Sequence, residues 1–192
     1  EADDLAPLPP AIAASERRLA LATLVQGFAA KEFPLLSASP GNAIALADEL
    51  AHLIDDFITA DLPFGAVAGA VEGELDRYWE RSRDFLKIVS DHWDAYLAGI
   101  GKIDAAKRRD LLLAREAERL AKGSGGPVIA AGSTGTVPKV AALLAVIAKR
   151  KNGAVVLPGL DQLLPKDAFA LIGAEREPMP GHPQFGLKRL IE

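Results

Sequence analysis

Apolar residues recur at spacings of three and four over most of residues 11–121, the period of helices that turn one face inward. From Ala11 to Lys31 the predicted stripe is Leu19, Leu21, Leu24, Val25 and Phe28. Ser39-Pro40 reads as a helix start, a capping hydroxyl followed by proline at the first helical position. The helix it opens runs to Ala60, with Leu46, Leu50, Leu53 and Phe57 on one side. Residues 63–71 read as a short helix ended near Gly73. A long helix follows from Glu74 to Ala98. Its Trp79, Leu86 and Trp93 recur every seven residues, interleaved with Leu75, Ser82, Val89 and Tyr96, a seam that packs on neighbouring helices. Gly99 and Gly101 end it, and Asp104 caps a further helix reaching Ala121. Nothing in this half reads as a strand.

The pattern changes across Lys122-Gly-Ser-Gly-Gly-Pro127, a flexible punctuation. Val128 to Ala131 is a short, wholly apolar strand, the kind expected in a sheet covered on both faces. The loop Gly132-Ser133-Thr134-Gly135-Thr136 leads into an Ala/Leu/Val-rich helix from Pro138 to Lys151, and Ala154 to Leu157 forms a second buried strand. Pro165 to Ile172 makes a short helix, Ala174 to Pro183 a proline-rich loop, and Phe185 to Glu192 opens another helix. Strand, helix, strand is the layout of a parallel βαβ unit, in which both strands end at one edge. The predicted fold is therefore α/β and helix-rich, with a helical subdomain over 1–122 and a partial α/β core over 127–192. Residues 1–10, acidic and proline-rich, form a loose lead-in. The chain begins with Glu1 rather than Met and stops inside a helical run, which suggests an internal piece of a longer protein.

Composition removes several functional classes. In 192 residues, 49% hydrophobic content supplies a core. A net charge of -4 gives no global electrostatic case for nucleic acid or anionic membrane, although local basic patches remain open. The absence of cysteine excludes a disulfide, a thiolate zinc site and an iron–sulfur cluster within these residues. No apolar run approaches the ~20 residues of a membrane-spanning helix. Glu1-Ala-Asp-Asp is acidic where a secretory signal is basic.

The loop from Gly132 to Thr136 lies where a strand end meets a helix start, so its backbone N–H groups could cradle a phosphate. It lacks the Gly-Lys-Ser/Thr of a phosphate-binding P-loop and is not Gly-x-Gly-x-x-Gly. The simpler reading is a tight turn with a helix cap from Thr136. Asp161-Gln162, just past the second strand, could hold a metal or a water; an Asp there more often caps the next turn. His52 and His92 fall on helices with no second ligand at metal spacing, and His182 belongs to a turn before the last helix. Lys107-Arg108-Arg109 and Lys149-Arg150-Lys151 are the candidate DNA contacts, weighed against solvated faces. The second cluster also complements the negative end of its helix dipole.

The succession Val128-Ile-Ala-Ala-Gly-Ser-Thr-Gly-Thr-Val-Pro138, Gly153-Ala-Val-Val-Leu-Pro-Gly-Leu-Asp-Gln162 and His182-Pro-Gln-Phe-Gly-Leu-Lys-Arg-Leu190 resembles the AddB family of alphaproteobacteria. Ala47-Asp-Glu-Leu-Ala-His-Leu-Ile-Asp-Asp-Phe57 and Phe85-Leu-Lys-Ile-Val89 are similar to that family's N-terminal half. AddB is a subunit of the AddAB helicase–nuclease, which processes double-strand DNA breaks for recombinational repair, and its ancestry lies with UvrD-like helicases. The resemblance implies a degenerate RecA-like core at residues 127–192. In active helicases of this kind the first strand ends in an Asp-Glu pair that handles magnesium and the attacking water. Laid on that pattern, Ala131 and Gly132 stand where the carboxylates would be, Thr134 falls on a Gln and Gly135 on a later Asp. Thr136 and Pro138 match, and Gly159-Leu-Asp161-Gln162 resembles a Gly-Asp-x-x-Gln motif with altered spacing.

A Gly cannot polarise water and an Ala cannot hold magnesium, so phosphoryl transfer has no means here. The family's phosphate-binding loop, later helicase motifs and cysteine-ligated nuclease domain are missing from these residues. The resemblance thus implies a non-catalytic piece with no cofactor of its own, a structural, subunit-interface or DNA-path role, a cytoplasmic setting, and AddA and DNA ends as partners. The parent complex would use ATP, magnesium and an iron–sulfur cluster elsewhere. The competing readings are a small nucleotide- or phosphate-binding enzyme using Gly132–Thr136, and a helical protein-interaction module.

Overall fold

The computed structural model describes residues 7–32, 39–63, 92–123, 125–173 and 178–191. The elements in chain order are α1 (Ala14–Glu32), α2 (Pro40–Thr59), α3 (92–99), α4 (Ala105–Ala121), β1 (Val128–Ala131), α5 (Pro138–Lys149), β2 (Gly153–Val156), α6 (Lys166–Ile172) and α7 (Phe185–Ile191). The chain is helix-rich with a small parallel sheet. It divides into two compact units, Glu1–Arg109 and Asp110–Glu192. The predicted helix over 63–71, and Trp79, Leu75, Ser82, Leu86 and Val89 of the seven-residue seam, lie outside the described residues.

In the first unit α1 and α2 pack on each other. The core is Leu21, Val25, Ala47, Leu50, Ile54 and Trp93, each 5% exposed or less, with their neighbours. Burial of each large member contributes about 1.5–3 kcal/mol. The inward stripe of α2 is Ala43, Ala47, Leu50 and Ile54, while Leu46 is 55% exposed. Leu19 of α1, predicted to face inward, is likewise exposed. The small alanines of α2 form the contact face, and the bulkier leucine beside them turns out.

Pro40 stands at the first position of α2, as predicted, but the Ser39 hydroxyl makes no cap bond. The Ser39 carbonyl accepts instead from the N–H groups of Asn42 and Ala43. One strand-like feature does occur in this half. Ala11 and Ile103 form an isolated parallel bridge, with Ile12 N–H donating to the Ile103 carbonyl at 2.9 Å and Ile103 N–H to that of Pro10 at 3.1 Å.

A polar knot closes the unit. Arg17 binds Asp55 with both terminal nitrogens, at 2.8 and 2.9 Å, and its Nε lies 2.8 Å from the Asp104 carboxylate. That last contact is an ion pair whose N–H does not point along the line to the oxygen. Trp93 Nε1 donates to the other Asp104 oxygen at 2.8 Å. Asp104 therefore precedes α4 as expected, but its carboxylate serves the core and not the helix start. Burial raises its pKa, outweighing the Trp93 hydrogen bond and the Arg17 charge, which both lower it.

In the second unit β1 and β2 pair in parallel, Val128 with Gly153 through Ala131 with Val156, and the ladder is extended by Gly132 N–H to the Val156 carbonyl. Residues alternate between half-buried and exposed along both strands. α5 packs on the sheet and buries Leu144 and Ile147. The opposite face is open, with Ile129 70% and Val156 58% exposed. A sheet covered on both faces was expected; the apolar runs instead supply one packed face and one bare one.

Candidate functional site

Parallel pairing places the exits of β1 and β2 at the same sheet edge, and both lead into the candidate residues. Gly132 and Gly135 adopt φ of +81° and +63°, the left-handed region open to glycine at little cost, and the chain bends at Gly132 without a hydrogen-bonded turn over 133–136. Inside the loop the Ser133 hydroxyl accepts the Gly135 N–H at 3.3 Å, and the hydroxyls of Thr134 and Thr136 lie 3.5 Å apart. The expected tight turn is replaced by an irregular loop, and Thr136 does not cap α5. The cap position is Val137, without a side-chain bond, and Pro138 follows.

Past β2, Asp161 acts as a turn cap, its Oδ1 accepting the Leu163 N–H at 2.9 Å. Gln162 is exposed. The residue that organises this segment is Gln184, which the sequence reading did not single out. Its side chain donates to the Gly159 carbonyl at 2.8 Å and accepts from the Asp161 N–H at 3.1 Å, and its own N–H donates to His182 Nδ1 at 3.1 Å. His182 thus supports the turn before α7, as expected. His52 and His92 are exposed on α2 and α3.

α7 closes over the same edge. Leu190 packs against Gly135, where an added Cβ would lie 2.5 Å from Leu190 Cδ2, and Gly186 approaches the Thr136 methyl. Lys188 of α7 is buried with its ammonium 5.1 Å from the Phe169 ring of α6. The segment 182–191 therefore touches both strand exits, Gln184 at Gly159 and Asp161, Leu190 at Gly135. A magnesium–nucleotide group does not fit these residues. Ala131 and Gly132 carry no carboxylate, Asp161 has one oxygen bonded in its own turn, and a leucine side chain lies on the loop.

Gln184 is expected to be worth more to stability than a turn residue normally is. Gln184→Ala removes two side-chain bonds at a buried position and orphans the Gly159 carbonyl and Asp161 N–H, a loss of about 1–3 kcal/mol. Urea unfolding of the variant beside the parent protein measures it, and an unchanged midpoint would show that the clamp carries no energy.

The two basic clusters differ in their partners. Arg108 Nε donates to the Pro9 carbonyl at 3.3 Å and Arg109 Nη2 to the Thr59 hydroxyl at 3.0 Å, so both hold the first unit together, while Lys107 is exposed. In the second cluster Lys149 and Lys151 are exposed, but Arg150 is half-buried. Its Nη1 donates to the Leu120 carbonyl, which anchors it to the end of α4.

Among the described residues no group of His, Cys, Asp and Glu side chains is arranged to hold a metal ion, and no helix is long and apolar enough to cross a membrane. Compared with known protein families, with curated proteins and with solved structures, the chain matches none.

Proposed function

We propose that the chain is a non-catalytic scaffold within an AddB-like subunit of a helicase–nuclease that processes double-strand DNA breaks in the cytoplasm. On this reading residues 127–192 are a degenerate RecA-like core that supports the assembly without hydrolysing nucleotide. ATP hydrolysis falls to the AddA partner and nuclease chemistry to another part of the subunit.

The observation that carries the non-catalytic reading is the closure of the strand exits by the chain's own side chains. A phosphate cradle needs backbone N–H groups turned outward at the loop and the helix start. Here the Gly135 N–H is taken by Ser133, and Leu190 packs on Gly135. Phosphoryl transfer further needs a metal ligand and a group to orient water. Asp161, an acid just past β2, has its Oδ1 bonded to the Leu163 N–H. The parallel strand–helix–strand arrangement and the retained Thr136 and Pro138 support descent from an active ancestor of the kind the resemblance names.

Titration with ATP and magnesium, followed by calorimetry and by phosphate release, is expected to give neither saturable heat at micromolar nucleotide nor turnover. Micromolar binding accompanied by turnover would overturn the scaffold reading in favour of a small nucleotide-using enzyme. Co-elution with purified AddA on size exclusion is the positive counterpart.

A further inference from the structure

At the sheet edge away from the Gly132–Thr136 loop lies a cavity of about 470 Å³, within the size range of small-ligand sites. We propose that it binds a phosphate group, held by Lys149 and Lys151 on a wall fixed by Arg150. This goes beyond the scaffold reading and does not depend on it.

Three cations line the cavity, and no acidic residue stands among its lining residues. Arg150 is rigidly placed. Its Nη1 bonds the Leu120 carbonyl and its Nη2 lies 3.5 Å from that of Gly126, joining the end of α4 to the turn before β1. Its Nε is buried with no acceptor, and among the described residues no carboxylate pairs with the guanidinium. Among the described residues the positive charge of this wall is therefore uncompensated.

Lys149 and Lys151 have neither an ion pair nor a hydrogen bond among the described residues. The α5 dipole accounts for Lys149, in its last turn, but not for Lys151 beyond the helix end. Gly123 and Gly125, at φ of +78° and +110°, contribute backbone without side chains to the wall, in conformations other residues adopt only under strain. Three cations, with Asn152 beside them, give the concavity its charge, the rest of its lining being Leu120, Ala121, Val146 and two glycines, and the Gly123 N–H is taken by the Leu120 carbonyl. That charge matches the several acceptor oxygens of a phosphate and repels a cationic ligand.

The test uses the whole ¹⁵N-labelled chain at constant ionic strength, titrated separately with pyrophosphate and with a short oligothymidylate. Amide shifts of Gly123, Gly125 and Asn152 are followed. Saturable shifts with pyrophosphate alone support the site and assign it to a free phosphate compound. Saturable shifts with the oligonucleotide support it and assign it to a nucleic-acid backbone. Lys149→Gln combined with Lys151→Gln changes only exposed, unpaired side chains and should leave folding intact. It is expected to weaken binding about tenfold or more, while Lys107→Gln, in the other unit, leaves it unchanged. Absence of a saturable shift with either probe overturns the proposal, as does an undiminished affinity in the double variant.

Discussion

Replacing Arg17 by methionine is expected to lower the unfolding free energy by about 3–5 kcal/mol at neutral pH, the cost typical of removing one partner of a buried ion pair. Arg17 is 13% exposed and meets Asp55, Asp104 and the Ala51 carbonyl, thereby joining α1 to α2 and to the start of α4. Asp55, at 38% exposure, can be rehydrated when the guanidinium goes. Asp104, at 4%, cannot, and would keep only the Trp93 hydrogen bond.

The pH dependence identifies Asp104 as the source of the loss. Its folded pKa already lies above the ordinary 3.8, because desolvation outweighs the Trp93 bond and the Arg17 charge. A carboxyl with a raised folded pKa contributes stability that is complete below 3.8 and is lost as pH rises through the folded value. Removing Arg17 takes away a lowering influence, so the folded pKa rises further and the loss extends to higher pH. The gap between parent and Arg17→Met should therefore narrow as pH falls from 7 towards about 4. Urea unfolding followed by circular dichroism at both ends of that range measures it. A gap that stays constant would place the energy in packing and not in the buried carboxylate.

The second large effect is expected at Gly153. An added Cβ there would overlap the Ile147 carbonyl oxygen and lie 3.0 Å from Arg150 Cβ, so backbone and not a flexible side chain would have to move. Gly153 also donates its N–H to the Arg150 carbonyl at 3.1 Å and pairs with Val128 as the first rung of the sheet. Gly153→Ala should cost about 3 kcal/mol or more, at the upper end of overpacking effects, because it displaces the end of α5 or the first rung of the sheet. Gly181→Ala, where a Cβ meets nothing within 4 Å, serves as the control with little change. Equal melting temperatures for the two variants would rule out the tight helix-to-strand turn as the cause.

Local signals were read well where a single residue decides the backbone. Pro40 and Pro138 fixed two helix starts, and the apolar run Val128–Ala131 matched β1 residue for residue. Signals failed where the partner is distant in sequence. On α2 the pattern of large side chains put Leu46 inside, whereas Ala43 and Ala47 form the contact, because interhelix distance favours small residues that hydropathy ranks low. Asp104 looked like a cap because caps are local, yet its carboxylate answers to Arg17 and Trp93. Ser39 and Thr136 were likewise assigned capping bonds that they do not make.

At the candidate site, the absence of acids from Gly132–Thr136 and the turn role of Asp161 were legible. Gln184 and Leu190 were not. Their importance arises from long-range closure: both lie in the His182–Leu190 run that carries the resemblance, yet nothing local marks either as a contact residue. Arg150 illustrates the same limit within one tripeptide: it is half-buried on two carbonyls while its neighbours Lys149 and Lys151 stay in solvent.

The bare side of the small sheet has a consequence for solubility. Among the described residues β1 and β2 are each other's only neighbours, so each also presents an outer edge of backbone donors and acceptors beside exposed Ile129 and Val156. Such an edge is a template for recruiting a foreign strand, and brevity is one of the ways proteins blunt it. At four residues apiece, ended by left-handed Gly132 on one and by Pro158 close beyond the other, these strands offer too few rungs for a stable intermolecular ladder.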